Sequence, residues 1–224
     1  MQRGKWRRTG GHRRGQSTGE RASGASLAWV VFGCWRGRGG RFAARMLPLW
    51  DTQKSKRTPV VTGLLILANL GVFGYELMLA AQGGKGAEAF LTSHALVPSR
   101  LIAGWADEEQ WLTLLTHMFL HGGVAHVLGN CWFLWVFGNN VEDRLGSFLY
   151  LLFYAAAGLG AAAMQVLVDP SSSLPMLGAS GAISGVLGAY FVLFPTAWVV
   201  TLVPWIVPIV PVPAFVFLDR KSVV

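Results

Sequence analysis

Gly178-Ala179-Ser180-Gly181-Ala182-Ile183-Ser184-Gly185 opens an uncharged run of 15 residues, Ser180 to Phe194, and its reading decides the fold. The glycine before Ser180 makes a turn and the residues after it make a helix. The serine hydroxyl therefore lies near the positive end of a helix dipole, among unpaired backbone N–H groups. Such donors are what a tetrahedral oxyanion needs in acyl transfer. Fifteen helical residues reach only about 22 Å, short of a hydrocarbon core about 30 Å thick. With its far end at one membrane surface, such a helix starts below the opposite surface, where water can still reach the serine. A plainer reading stands beside this one: Gly181, Gly185 and Gly188 allow close helix packing, as small-xxx-small patterns do.

Working outward, the rest of the chain also reads as membrane-embedded. Hydrophobic residues make up 53% of it and charged residues only 13%, which is unusual for a soluble domain. Val60–Ala81 is a span of 22 residues in which Asn69 and Glu76 are the only strongly polar members. His121–Asn139 is apolar and aromatic but carries His126 and Asn130, and Phe148–Val168 has no charge at all. Thr196–Leu218 is also uncharged, yet Pro204, Pro208, Pro211 and Pro213 forbid one straight helix. It reads as a membrane-embedded loop leading into the first turns of a further helix.

Charge divides the chain in two. Residues 1–57 hold 14 Lys/Arg against two acids, whereas residues 58–224 hold five basic and nine acidic residues. The net charge of +8 thus belongs to the N-terminal arm. Preceding a series of apolar spans, such an arm marks the cytoplasmic side of a membrane rather than a nucleic-acid site. Residues 82–120, with two basic residues against four acids, are then expected outside. The domain reading is a basic, mostly disordered arm over 1–57 and a membrane domain over 58–224. Residues 1–45 are expected to be upstream read-through, because Met46 opens a more ordinary start. The apolar run Ala25–Trp35 is too short to span a bilayer. Cys34 and Cys131 read as structural thiols, with no disulfide framework.

The second span carries the remaining chemistry. His126 and Asn130 are four residues apart, so they share one helix face about two turns into an apolar segment. Polar groups at that depth are costly and usually serve a site. His117 and His121 have ligand spacing, so a metal site is the rival reading. No acidic or cysteine third ligand stands nearby at suitable spacing, and no metal or cofactor is expected.

Three blocks then fall into one pattern. They are Thr116-His117-Met118-Phe119-Leu120-His121-Gly122-Gly123-x-x-His126-x-x-x-Asn130, Val141-Glu142-Asp143-Arg144-Leu145-Gly146, and the stretch quoted first. In this order and spacing the chain resembles the rhomboid intramembrane serine proteases, from about Thr58 to Leu218. The resemblance implies an all-α membrane protein, a bundle of six helices in that family. Here it would have four full transmembrane helices plus a partial fifth, with the sixth missing. It implies that Ser180 is the nucleophile, attacking a peptide bond of a transmembrane substrate to form an acyl-enzyme. His126 and Asn130, with the Ser180 backbone N–H, would hold the oxyanion, and Gly178 would let the substrate backbone approach. Glu142 and Arg144 would anchor the loop between the second and third spans, and Gly181 and Gly185 would serve packing.

The family's general base is a histidine on its sixth helix. The five histidines of this sequence are at 12, 94, 117, 121 and 126, all before Ser180. A serine hydroxyl is a weak nucleophile without an adjacent base. The expectation is an intramembrane endopeptidase that is C-terminally truncated and crippled as written. The alternative is a non-catalytic relative that binds transmembrane clients, and an unrelated small transporter comes third. Partners are the lipid bilayer and a transmembrane protein, with no nucleic acid. The expected location is the inner membrane of a bacterium.

Overall fold

The computed structural model describes residues 47–53, 55–203 and 207–213. The stretch from 1 to 46, with Cys34 and the apolar run Ala25–Trp35, lies outside the described residues, as does everything after Pro213. Strand β1 is Leu47–Asp51, and helix α1 is Val60–Ala81, with the bounds expected of the first span. Three short helices follow in the 82–120 connection: α2 (Lys85–His94), α3 (Pro98–Ala103) and α4 (Glu108–Thr116). Pro98 sits in the first turn of α3, where its missing N–H costs nothing. The Asp107 carboxylate caps α4 by accepting from the Glu109 N–H.

A 3-10 turn, His117–Phe119, leads into α5 (Val124–Phe133), a π-helical turn (Leu134–Gly138) and α6 (Asn139–Leu145). The expected second span is therefore a helical rod built from three segments. It makes an angle of 79° with the helix before it. Helix α7 is Ser147–Val168, and α8 is Ser180–Leu193, 14 residues long. Among the described residues, α1 and α7 are long and apolar enough to cross a membrane. The bent pair Glu108–Phe119 and Val124–Leu145 makes a third if taken as one span. Helix α8 is a shorter apolar helix, as its 15-residue run implies.

Helix α8 is the centre of the core. Its buried residues Ala182, Ile183, Val186, Leu187 and Tyr190 join Leu134, Phe137, Tyr150 and Tyr154 in one cluster. The Phe137 and Tyr190 rings meet edge to face at 5.0 Å. Glycines set the α7–α8 distance: a Cβ on Gly181 would stand 2.6 Å from the Ala161 Cβ, and one on Gly185 would clash with Ala157. The glycine face of α8 thus turns to the third span, and α8 reaches the second span through the π turn.

The described residues are mostly helical, as expected, but they also include strands. Within Thr196–Leu218, expected as a loop leading into a further helix, the described part forms β2 (Trp198–Val203) and β3 (Val207–Pro213), while residues 204–206 and 214–218 lie outside the described residues. With β1 they make an antiparallel sheet ordered β1-β2-β3. Trp198-Val199-Val200-Thr201-Leu202-Val203 is dense in β-branched and aromatic residues, which favour a pleated strand. Pro208, Pro211 and Pro213 sit on β3, a sheet edge, where missing donors are tolerated. Leu47–Asp51, read as part of a disordered arm, pairs with β2 from Leu47↔Leu202 to Asp51↔Val199. The Asp51 carboxylate accepts from Asn140 Nδ2 at 2.7 Å and from the Tyr190 hydroxyl at 2.6 Å, tying the sheet to α6 and α8.

Candidate active site

Ser180 is the first residue of α8, and its side chain is exposed. The first helical bond runs from the Ile183 N–H to the Ala179 carbonyl at 2.9 Å. The N–H groups of Ser180, Gly181 and Ala182 precede that bond, at the positive end of the helix. An anion placed beside Ser180 would meet them. The sharp entry into the helix rests on Gly178, whose φ of +108° is strained for any residue with a Cβ. Its N–H donates to the His117 carbonyl at 2.8 Å, which pins the turn to the 3-10 segment before α5.

A second reason excludes a side chain at Gly178. A Cβ there would stand 2.7 Å from His126 Nε2 and 3.4 Å from Asn130 Nδ2. Both groups project from one face of α5 onto the turn before Ser180. His126 is half-buried and Asn130 is buried. The structure therefore brings Gly178, His126 and Asn130 into contact distance, next to Ser180 in the chain. Chemically the cluster offers a ring nitrogen and an amide nitrogen against the turn that leads into a serine at a helix N-terminus. That is the equipment for stabilising an oxyanion.

Glu142 and Arg144 go elsewhere. Glu142 is 2% exposed and accepts from the Val61 N–H, the Thr62 N–H and hydroxyl, and the Ser147 hydroxyl, at 2.7 to 2.9 Å. It joins the start of α1 to the α6–α7 junction, while Arg144 is exposed on α6. Gly181 and Gly185 lie on the α7 contact already described.

Sequence reasoning missed part of the surrounding frame. His121 N–H donates to Glu76 Oε1 at 3.2 Å, and Asn130 Nδ2 stands 3.0 Å from His121 Nε2. The only signal was Glu76 itself, an acid inside an apolar span. His117, weighed as a ligand, holds its Nδ1 against the Thr113 carbonyl at 2.9 Å and gives its own carbonyl to Gly178.

Comparison with known proteins points to one family. The family model described as a rhomboid domain matches residues 108–220, just over half of the chain. Rhomboid protease GluP of Bacillus subtilis is 36% identical over 131 residues, covering 58% of this chain and 24% of that protein. Rhomboid-like protein 11, chloroplastic, of Arabidopsis thaliana is 30% identical over 152 residues, covering 66% of this chain and 48% of that one. Rhomboid protease AarA of Providencia stuartii is 26% identical over 142 residues, covering 58% and 49%. The chain thus spans about a quarter to a half of the length of these relatives. No solved structure matches it.

Proposed function

The chain belongs to the rhomboid family and is an integral membrane protein, and from that premise we propose that its chemistry is serine-type intramembrane peptide hydrolysis. In this reading Ser180 Oγ attacks a peptide carbonyl near the end of a transmembrane substrate helix. The carbonyl oxygen becomes an oxyanion held by the first-turn N–H groups, Asn130 and His126. Collapse expels the amine half and leaves an acyl-serine, which water then hydrolyses. The observation that supports the reading is the close approach of His126 and Asn130 to Gly178, in the turn that leads into Ser180. The names of the relatives, two of them rhomboid proteases, support the class of reaction.

For a polypeptide of residues 1–224 alone, the proposal carries an expectation of slow turnover. Attack requires a base for the Ser180 proton, and no histidine follows Ser180 in the 224 residues. His126 stands on the oxyanion side, against Gly178. Retention of Gly178, Ser180, His126 and Asn130 favours this over a catalytically dead relative that binds transmembrane clients without cutting them. The test is to express the chain and a version extended by a histidine-bearing apolar helix, each beside its Ser180→Ala control. Cleavage of a reporter transmembrane substrate is expected to be at least ~10³-fold slower for the short form. Comparable, Ser180-dependent rates would overturn the account of the base.

The basic arm supports a cytoplasmic N-terminus, with the 82–120 connection on the opposite side of a bacterial inner membrane. An epitope at Lys85–His94 should then be cut by protease added to sealed right-side-out vesicles; protection would reverse the orientation.

A further inference from the structure

Helix α1 carries three buried polar residues at seven-residue intervals, Thr62, Asn69 and Glu76, all on the face turned to the bundle. Thr62 is explained by its bonds to Glu142. Glu76 is not explained by the bundle alone. It is 5% exposed, Oε1 accepts from the His121 N–H, and Oε2 has no hydrogen-bond partner. A buried carboxylate left half satisfied calls for a reason.

The next residue in the chain of contacts supplies one. His121 is 2% exposed, and its Nδ1 stands 3.0 Å from the Phe119 carbonyl oxygen. That oxygen only accepts, so the ring hydrogen lies on Nδ1 and Nε2 carries a lone pair. Asn130 Nδ2, 3.0 Å away, donates to that lone pair. The amide has one further N–H on the same nitrogen, and this nitrogen lies 3.4 Å from the position of a Cβ on Gly178. Without a pure acceptor at His121, an asparagine amide has two near-isosteric orientations. The flipped one would present its carbonyl oxygen to a developing oxyanion and repel it.

We propose that Glu76 and His121 are positioning residues that hold the Asn130 amide with its N–H, rather than its carbonyl, toward the Gly178–Ser180 turn. Glu76 fixes the His121 backbone in the segment between Phe119 and Val124, which runs between helices. His121 then fixes the amide. The same logic operates around metal sites, where outer partners set the tautomer and orientation of inner ones. The inference deepens the proposed function and rests on it for its consequence, but its geometry can be read without any cleavage.

The experiment labels the histidines of the full 224-residue chain with 15N in detergent micelles and reads the ring nitrogens, assigning His121 by its loss in His121→Phe. The expected wild-type spectrum shows His121 as one neutral Nδ1–H form whose Nε2 accepts a hydrogen bond. Asn130→Leu should remove the accepting shift at Nε2. Glu76→Leu should convert the single form into a mixture of tautomers, and Glu76→Gln, whose carbonyl still accepts, should restore it. A wild-type His121 with its hydrogen on Nε2 would overturn the proposal. So would a His121 signal indifferent to Glu76→Leu in a chain of unchanged helix content. If Glu76→Leu does not fold, the wild-type and Asn130→Leu spectra decide. An intact relay spectrum in a chain whose helix-completed form shows no Ser180-dependent cleavage would count against the proposed function and leave this inference standing.

Discussion

The two ends of α1 each bury a carboxylate contact, and the two are built differently. At one end Glu142 receives four hydrogen bonds from α1 and the start of α7. At the other, Glu76 receives one, and an oxygen remains unpartnered. Both carboxylates are nearly shielded from solvent, so burial does not explain the difference. A saturated network has no bonding capacity left and acts as a fastener; low local dielectric makes it strong and its loss costly. A partly filled one keeps capacity, and here only His121 separates it from Asn130, which in turn lies against the Gly178 turn. The Glu142 end fastens α1 to the α6–α7 junction, and the Glu76 end borders the proposed site.

If that division is right, substitutions at the two ends should fail in different ways. The largest effect is expected at Asn130. In the helix-completed form, Asn130→Ala should lower Ser180-dependent cleavage by about 10²–10³, the usual cost of one oxyanion donor, with the melting temperature in detergent little changed. A loss below threefold would remove Asn130 from the site. Next comes Glu142→Ala, which strands the Val61 and Thr62 N–H groups and two hydroxyls. Thermal or denaturant unfolding should show a loss of about 2–4 kcal/mol, while cleavage per folded molecule stays near the parent value. Cleavage falling further than stability would erase the contrast between the ends. The smallest effect is packing: Gly181→Leu and Gly185→Leu should each cost about 1–3 kcal/mol, because Ala161 and Ala157 occupy the space. Unchanged stability in both would break the account of how α8 seats on α7.

Much of this frame is legible in the residues. The bounds of α1, α7 and α8 follow from apolar runs ended by Pro59, Gly146 and the Gly178 turn, all local signals. The pairing of His126 with Asn130 is equally local, since four-residue spacing alone puts them on one face. What the sequence hides is non-local. The sheet joins Leu47–Asp51 to Trp198–Val203 across most of the chain, and no periodicity within either segment announces the other. The prolines of β3 were rightly read as helix breakers, but the same residues are compatible with an edge strand. Glu76 was visible as an oddity in an apolar span. Its partner, a backbone N–H in the segment after a 3-10 turn, has no sequence signature. The π turn within the second span, where Phe137 meets Tyr190, has no sequence signature either.

The central claim, that Ser180 is the reactive hydroxyl at this helix N-terminus, is tested most directly by covalent trapping. The helix-completed chain would be exposed to a fluorophosphonate in detergent, then analysed by intact mass and peptide mapping. The account predicts one adduct per chain, on Ser180, absent in Ser180→Ala and formed more slowly in Asn130→Ala. An adduct on Ser184 or another residue, or labelling undiminished in Ser180→Ala, would contradict it.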